Sequence, residues 1–566
     1  MKRNLSYALL LAGGMLVLTG CNKKMNQFAA DYFTTNPNPL EVVGTNVPAI
    51  VTANVPAKFF KKNAEVTVTP VLVYGGQSTA SAPSQFQGEK VRGNAPVVSY
   101  SNGGVFTIPV NFVYQPEMQR SELYLDFSVK QGKKQYALPR VKVANGIIAT
   151  AALADAGSVN PAIAPDKFQR IINEKYTADI RFLINVANIR QNQLTSAEME
   201  AFNKDLNEAN AAANKEIEGL NISSYASPDG PYDFNQRLAE HREKNTKAYL
   251  EKKLKKDNIT EFGELTAQFT PEDWEGFQKL VQASNIQDKE LILSILNMYK
   301  DPEQRMNEIR NLSNVFETLA TDILPELRYS RLTASVNVIG KSDEEIANFF
   351  DNDPAALSVD EILYAATITD DPARQTAIYQ KASQLYPNDF RTFNNLGMKQ
   401  YAAGNISAAQ ANFAKAAQIN PQSAEAQMNL GLIALKNGDY AAANRAFGNT
   451  AGLEELNDAL GVYYMKQGDY AAAAKAFAAS KKKSNNAAVA QLVIKDYAAA
   501  RNTLASITTP DATTYYLTAI LGARTNNPQL VTSNLRQAIK LNPQLVQTIA
   551  NDLEFSKFNL DGVLNQ

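Results

Sequence analysis

Apolar and polar residues alternate along much of the first quarter of the chain. Between residues 41 and 148, segments rich in β-branched residues, such as 65–74 and 105–113, are separated by turn signals such as Gly75-Gly76. A period of two is typical of a strand that buries one face. Several short strands without helical periodicity predict a β-sandwich-like domain over residues 41–148.

The pattern changes after residues 149–164, a stretch rich in Ala, Gly and Pro that predicts a linker. Strand-like and helix-like segments then alternate between residues 165 and 340, and residues 331–339 form a final alternating strand. The predicted element order is β-α-β-α-β-β, with an additional helical insertion at 271–327. This order is typical of an α/β domain.

Beyond residue 340 the sequence becomes helical and repetitive. Gly397 and Gly431 lie 34 positions apart, as do Pro387 and Pro421. A fixed period of this length predicts stacked helix pairs, in which small residues let the two helices of a pair approach closely. The predicted all-α solenoid covers residues 357–550.

The central copies of the repeat share short motifs. Asn-Leu-Gly occurs at 395–397 and again at 429–431, and each copy continues through an Ala-rich second helix to a Phe. These motifs resemble the tetratricopeptide repeat, which implies a concave face for protein partners; a purely architectural scaffold is the alternative. Within the second helices, Ala408 and Ala441 are expected at close helix contacts.

The N-terminus has the pattern of a lipoprotein signal peptide. Lys2 and Arg3 precede a short apolar stretch, and Leu18-Thr19-Gly20-Cys21 follows. This sequence resembles the lipobox, which implies removal of residues 1–20 and attachment of acyl chains such as palmitate to Cys21. Several acyl chains hold a protein on a membrane more firmly than one chain does. The alternative is a secreted protein with one unpaired cysteine.

Residues 21–40 contain Asn-Pro turn signals and are predicted to be a tether between the lipid and the folded domains. Asn22 resembles the outer-membrane rather than the inner-membrane sorting signal of proteobacteria. Surface-exported lipoproteins of the Bacteroidetes usually carry an acidic cluster at this point, whereas Lys23 and Lys24 are basic. The resemblance therefore implies a lipid anchor in the outer membrane and a periplasmic location, with the cell surface or outer-membrane vesicles as the alternative.

The α/β segment carries the most specific motif. Residues 225–230 read Tyr-Ala-Ser-Pro-Asp-Gly, and residues 235–242 read Asn-Gln-Arg-Leu-Ala-Glu-His-Arg. Together they resemble the OmpA-like peptidoglycan-binding domain, and the resemblance covers roughly residues 170–340. In that family an Asp and an Arg bind the diaminopimelate of the wall's stem peptide, because an Asp can pair the ammonium and an Arg the carboxylate.

The family's binding residues are only partly present in this chain. Arg242 stands at the Arg position, but Ser227 stands where the family has Asp. Asp229 could supply the missing carboxylate if the turn is reshaped, and Arg331 matches a basic position before the last strand. The resemblance implies peptidoglycan contact through Arg242, Asp229, Ser227 and Arg331; the alternative is a domain that keeps the fold without the ligand.

Composition argues against several functions. The 56 Lys and Arg residues balance 57 Asp and Glu residues, so no basic excess points to nucleic acid. One His and one Cys exclude disulfides, His-rich zinc sites and most Ser-His-Asp or Cys-His mechanisms. Neither a P-loop nor an HExxH motif is present. We therefore expect no catalytic residue, no metal, no cofactor and no enzymatic activity.

The order of these segments resembles outer-membrane lipoproteins of the Bacteroidetes. It implies a multidomain, non-enzymatic lipoprotein that links the envelope, with possible peptidoglycan contact, to protein partners through the repeats. Such a protein would be a subunit of an envelope complex. The alternative function is a lipoprotein that binds peptides or glycans and is displayed on the surface or on vesicles.

Overall fold

The computed structural model describes residues 24–564, except for the side chains of residues 313–315. The predicted signal peptide 1–20 and Cys21 lie outside the described residues. The chain divides into two compact units, of which the first combines residues 1–165 with residues from 371 onward and the second comprises residues 166–370. Within the described range, no helix is long and apolar enough to cross a membrane.

The N-terminal part of the first unit is a β-sandwich. Its strands are β1 (Phe33–Asn36), β2 (Leu40–Glu41), β3 (Asn46–Val55), β4 (Ala64–Tyr74), β5 (Gln77–Ala80), β6 (Ser84–Gly88), β7 (Val97–Val98), β8 (Gly104–Val113), β9 (Ser121–Gln131), β10 (Lys134–Asn145) and β11 (Ile147–Ile148). One sheet has the order β1-β3-β8 and a second has the order β10-β9-β4-β6-β7, with β5 paired to β4. β2 and β11 form a short parallel pair. Both larger sheets contribute to one hydrophobic core, as the alternating pattern predicts.

The sandwich begins earlier than the sequence predicts. β1 pairs with β3, although it lies within residues 21–40, which are predicted to be a tether. Met25 and Phe28 are only 3% and 5% exposed, and the Phe28 ring stacks on Phe127 with centroids 4.3 Å apart. Met25 and Phe28 belong to the hydrophobic core of the sandwich, so residues 25–40 are part of the domain rather than a tether.

The second unit is an α/β domain with the predicted element order. Its elements are β12 (Ile171–Arg181), α1 (Gln191–Leu194), α2 (Ala197–Ala211), β13 (Lys215–Tyr225), α3 (Tyr232–Lys256), β14 (Glu264–Thr270), α4 (Trp274–Ala283), α5 (Lys289–Met298), α6 (Pro302–Arg310), α7 (Ser313–Thr318), β15 (Tyr329–Ile339), α8 (Asp343–Asn352) and α9 (Val359–Ala365). The sheet order is β12-β15-β13-β14, with β13 and β14 parallel. The predicted insertion is helices α4 to α7, which share a small core of their own.

The C-terminal part of the first unit is all helical. Its helices are α10 (Pro372–Leu385), α11 (Phe390–Ala402), α12 (Ile406–Ile419), α13 (Ala424–Lys436), α14 (Tyr440–Phe447), α15 (Leu456–Gln467), α16 (Tyr470–Ala479), α17 (Asn485–Val493), α18 (Tyr497–Ala505), α19 (Ala512–Arg524), α20 (Pro528–Leu541), α21 (Leu545–Asn551) and α22 (Asp561–Leu564). From α11 to α20 they pack as consecutive pairs, as the sequence period predicts. The predicted start of the solenoid at residue 357 is too early, because residues 357–370, with α9, belong to the second unit. Asp439, Asp469 and Asp496 cap the second helices of three pairs by accepting a hydrogen bond from the main-chain N–H three residues further on.

A glycine and a phenylalanine fix the distance between the helices of the central pairs. A Cβ placed on Gly431 would lie 2.5 Å from the Phe447 ring, and one on Gly461 would lie 2.4 Å from Phe477. Gly397 meets Phe413 in the same way. The ring therefore lies directly against the backbone of the first helix, which no residue with a side chain would permit.

The register within the second helices differs from the prediction by one or two residues. Ala409 and Ala443 are completely buried, whereas Ala408 is only partly buried and Ala441 is exposed. The period of the repeat was sufficient to place the helices. It was not sufficient to choose among neighbouring alanines, because all of them look alike in an Ala-rich helix.

We expect Gly431→Ala to lower the free energy of unfolding of the solenoid by about 1–3 kcal/mol, because the added methyl group would force the Phe447 ring or the helix to move. Chemical denaturation followed by circular dichroism measures this loss. Gly448→Ala is the matched control, since Gly448 has a helical φ of −59° and its nearest neighbour would lie 3.4 Å from the new Cβ. Equal stability of the two variants would contradict the packing described here.

Candidate functional site

The segment that the sequence predicts to be a linker packs against the solenoid. We call residues 150–165 the strap; they follow β11 and contain two short 3₁₀ turns, Thr150–Leu153 and Ala156–Ser158. Strap side chains belong to the same hydrophobic core as the helix pairs. Apart from Glu554 near the C-terminus, the helical residues that hydrogen-bond to the strap lie on α11, α13, α15, α17 and α19, the first helices of the pairs. We call this surface the first-helix face.

Three asparagines each bind both polar main-chain groups of one strap residue, and a fourth, Asn394, donates a further hydrogen bond of 3.0 Å to the Ala162 carbonyl. The Ala162 N–H donates to Oδ1 of Asn429 at 2.7 Å, and Nδ2 of Asn429 donates to the Ala162 carbonyl at 2.8 Å. The same pair of hydrogen bonds, each 2.9 Å long, joins Asn395 to Ala164 and Asn486 to Asp155. Each amide thus satisfies both polar groups of one strap residue, as a neighbouring strand would.

The three asparagines occupy one position of the repeat. Each stands two residues before the small residue that faces the second helix: Gly397, Gly431 and Ala488. In the third pair Ala459 takes this position, and the structure has no such clamp there among the described residues. Since higher-numbered strap residues meet lower-numbered pairs, the strap runs antiparallel to the order of the pairs.

The strap fits because its side chains are small. Ala154, Ala156, Ala162 and Ala164 are nearly or completely buried, and Val159 is the largest residue among the buried strap positions. A larger side chain at a clamped alanine would have to displace the first-helix face. The first-helix face therefore recognises the strap through its backbone and requires small side chains at the buried strap positions, whatever their identity.

Further contacts hold the strap between the clamped residues and before the first of them. The Tyr401 hydroxyl donates to the Ala156 carbonyl at 2.7 Å, and burial raises the pKa of Tyr401. The Lys466 ammonium donates to the Ala152 carbonyl at 3.3 Å, and burial lowers its pKa. The strap, a segment of the same chain, therefore covers much of the first-helix face.

A cavity of about 490 Å³ lies beside the start of the strap and contains a buried carboxyl group. Asp552 lines it, with Tyr114 and Tyr516, and accepts a hydrogen bond from the Tyr516 hydroxyl. Burial, assisted by the negative charge of Glu554, raises the pKa of Asp552 to about 6. Burial also raises the pKa of Tyr114 to about 12. The cavity is therefore a place where the ionised carboxylate is disfavoured.

In the second unit, Arg242 is a completely buried brace at the turn that carries the sequence motif. Its guanidinium donates to the main-chain carbonyls of Leu183 at 3.1 Å, Val186 at 3.1 Å and Tyr225 at 2.8 Å. Burial, together with the nearby charge of Arg328, lowers its pKa to about 10. These bonds join the loop after β12 to the end of β13 and use most of the Arg242 donors.

Ser227 and Asp229 lie together in the same turn, beside a residue that the sequence analysis did not identify. Ser227 donates a hydrogen bond to Asp229, and Arg328 reaches both side chains, at 3.2 Å to Ser227 Oγ and 3.4 Å to Asp229 Oδ2. Asn235 supports the turn by donating to the Ser227 carbonyl at 3.0 Å. Arg328 precedes β15 by one residue, whereas the family resemblance pointed to Arg331, which lies within β15.

Arg331 points elsewhere. It forms two hydrogen bonds of 2.8 Å to Asp179 on the neighbouring strand β12, and this partner raises its pKa. Its guanidinium also lies 5.1 Å from the Tyr329 ring centroid. The structure thus brings Ser227, Asp229 and Arg242 into one cluster and leaves Arg331 outside it. Binding of peptidoglycan by these residues stays a prediction.

Within residues 24–564, no group of three or more His, Cys, Asp and Glu side chains could hold a metal ion.

Comparison with known proteins identifies the repeats. A tetratricopeptide repeat model matches residues 394–451, which span α11 to α14. Together with the helix pairs, this match shows that the C-terminal region is a tetratricopeptide solenoid. No curated protein shows significant sequence similarity to the chain.

Solved structures of low identity are also similar to the chain. A chain of the APC/C hetero-tetramer Cut9-Hcn1 has 18% identity and a TM-score of 0.33, covering 37% of this chain and 45% of its own. A tetratricopeptide repeat protein from Parabacteroides merdae has 14% identity and a TM-score of 0.29, with coverages of 37% and 89%. Yeast Tom70 has 13% identity and a TM-score of 0.27, with coverages of 74% and 72%. This chain therefore spans less than half of the Cut9-Hcn1 chain that it matches.

We expect Asn429→Ala to release the centre of the strap. The Ala162 N–H would lose its partner, whereas the Ala162 carbonyl would keep its hydrogen bond from Nδ2 of Asn394. A buried N–H left unpaired costs about 1–3 kcal/mol. Hydrogen–deuterium exchange of the peptide that spans the strap should become faster. Asn444→Ala, an exposed site on α14, is the matched control. Unchanged protection of the strap in Asn429→Ala would contradict the clamp.

The raised pKa of Asp552 predicts a specific pH dependence. In the unfolded chain an Asp has a pKa near 3.9, so the folded state binds the proton more tightly. Its contribution to stability is complete below about pH 4 and declines as the pH rises towards and beyond 6. Asp552→Asn should therefore stabilise the protein by about 1 kcal/mol more at pH 7.5 than at pH 5, measured by denaturation at both values. Asp561→Asn, at an exposed position, should show no such difference.

Proposed function

We propose that this protein is a non-enzymatic lipoprotein of the outer membrane that serves as a scaffold subunit of an envelope complex. Cys21 would carry the lipid anchor, with the folded chain on the periplasmic side. The α/β unit would contact peptidoglycan, and the tetratricopeptide solenoid would hold protein partners. The lipobox supports the lipid anchor, and the motif at 225–242 supports the contact with peptidoglycan.

The observation that carries the scaffold function is the set of asparagine clamps. Tetratricopeptide solenoids generally bind proteins or extended peptides. Here Asn395, Asn429 and Asn486 bind both polar groups of extended main chain, and the segment that they bind is the chain's own strap. A solenoid that recognises backbone in this way is suited to assembly rather than to chemistry. Because the strap occupies the first-helix face, partners would use the remaining solenoid surfaces or displace the strap.

The cluster at the 225–230 turn supports wall contact in a modified form. The stem-peptide end implied by the family resemblance has both an ammonium and a carboxylate. Asp229 offers one carboxylate, and Arg328 offers a cation that is less completely used by main-chain carbonyls than Arg242. Since Arg328 already neutralises Asp229, the ligand would have to compete for both charges. We therefore expect weak, salt-sensitive binding.

Co-sedimentation of the purified chain with isolated sacculi tests this proposal. Wild-type protein should sediment at low salt and be released at high salt. Ser227→Asp should strengthen sedimentation, because it restores a carboxylate at the family position beside Arg328. Asp229→Asn should weaken binding several-fold, whereas Asp233→Asn, in the exposed first turn of α3, should leave it unchanged.

The variants separate two kinds of failure. If only Ser227→Asp sediments, the domain has the fold but the natural chain has lost the ligand. If neither wild type nor Ser227→Asp sediments, the wall-contact part of the proposal is wrong. Arg242→Ala is unsuitable for this purpose, because removing a buried brace would disturb the turn whatever the ligand.

A second candidate function is peptide binding by a lipoprotein displayed on the surface or on vesicles. It is favoured by the same clamps, since bonds to main chain and small side chains would accept many extended peptides. Cross-linking in intact cells distinguishes the candidates. Adducts with envelope proteins favour the scaffold, and adducts with peptides from outside the cell favour the second function.

A further inference from the structure

The end of the sandwich where the chain enters lies very close in sequence to the proposed lipid attachment site. Met25 is buried in the core, and only residues 22–24 separate it from Cys21. Four residue steps span at most about 14 Å. If Cys21 is acylated, this end of the sandwich is therefore held at the membrane surface.

Contacts show which other segments share this end. The Met25 N–H donates to the Tyr136 hydroxyl at 3.0 Å, and Tyr136 donates to Gln131, the last residue of β9. Gln131 in turn donates to Asn63, just before β4, at 3.1 Å. The end of β6 lies here too, since Glu65 in β4 is opposite Gln87. We call this surface the anchor end.

The anchor end is strongly basic. Nine cationic residues lie on its loops and strand ends, and all but the half-buried Lys61 are exposed: Lys24, Lys58, Lys61, Lys62, Lys90, Arg92, Lys130, Lys133 and Lys134. The same segments carry three acidic residues: Asp31, Glu65 and Glu89. Two of these carboxylates pair with lysines of the same end, Glu65 with Lys130 at 2.9 Å and Glu89 with Lys62 at 3.8 Å.

The rest of the described chain has no such excess of basic residues over acidic residues. The rest of the sandwich, up to residue 148, has three cationic and four acidic residues. From residue 149 onward, 41 Lys and Arg face 50 Asp and Glu. The anchor end, which the lipid would hold against the bilayer, thus carries a net positive charge, whereas acidic residues outnumber basic ones in the remaining segments.

We infer that the anchor end is a membrane-contact surface that binds the phosphate groups of anionic phospholipid headgroups. This inference rests on the proposed lipid anchor for its location in the cell, although the binding itself requires only the lysines and the arginine. Each Lys or Arg close to an anionic bilayer contributes favourably, and the attraction falls off within a Debye length of about 10 Å at 0.1 M salt. Acyl chains and a basic surface together hold a protein more firmly than either alone.

Vesicle sedimentation tests the inference with the chain from residue 22 onward, produced without lipid. It should bind phosphatidylcholine vesicles containing 30% phosphatidylglycerol, bind pure phosphatidylcholine vesicles at least tenfold less, and dissociate in 0.5 M NaCl. The triple variant Lys58→Gln, Lys133→Gln, Lys134→Gln should bind the anionic vesicles at least tenfold more weakly, because it removes three exposed charges from the anchor end.

The matched control removes three exposed charges from the solenoid: Lys481→Gln, Lys482→Gln and Lys483→Gln. It should bind within twofold of wild type. Equal binding to both kinds of vesicle, or equal losses in the two triple variants, would overturn the inference.

Acyl labelling of Cys21 in cells, with Cys21→Ala as reference, is a separate measurement. Vesicle binding without label would refute the proposed anchor and support the surface, whereas label without vesicle binding would refute the surface and leave the anchor standing.

Discussion

The paired hydrogen bonds between asparagine amides and the strap backbone determine how the first unit is built. A main-chain segment that leaves water must find partners for both its N–H and its carbonyl. Asn395, Asn429 and Asn486 meet this need from helices, without any neighbouring strand. Because the strap directly follows the sandwich in sequence, these bonds hold the N-terminal sandwich and the C-terminal solenoid in one compact unit.

The same hydrogen bonds determine which solenoid surfaces are accessible to partners. A tetratricopeptide face is expected to be open to partners, but here much of the first-helix face belongs to the protein's own core. The small strap side chains let the strap backbone lie close to the helices, and the glycines that face phenylalanines let the two helices of a pair lie close together. What the solenoid recognises is therefore visible in the structure, even though the bound segment is part of the same chain.

Periodicity in the sequence predicted the sandwich, the β-α-β-α-β-β order, its helical insertion and the helix pairs, because each follows from local patterns of burial. Long-range partners were not predictable in this way. Residues 25–40 looked like a tether because Asn-Pro turn signals outweighed Met25 and Phe28. Arg328 and Arg331 are only three residues apart, and it takes the fold to show that Arg328 reaches Ser227 and Asp229 whereas Arg331 pairs with Asp179. The strap looked like a linker because nothing local in an Ala-rich stretch reveals asparagines hundreds of residues away, although Asn-Leu-Gly is repeated at two of their positions, 395–397 and 429–431.

The separation between the strap and its partners has a consequence for biosynthesis. Ala162 pairs with a residue 267 positions later. At typical synthesis rates of about 5–20 residues per second, roughly 13 to 50 s pass before that partner exists. During this time the strap has no solenoid to cover it, and it is a target for proteases and for chaperones that bind extended chain. Chains cut short before the solenoid would keep this target exposed permanently, so quality control can distinguish them from finished molecules.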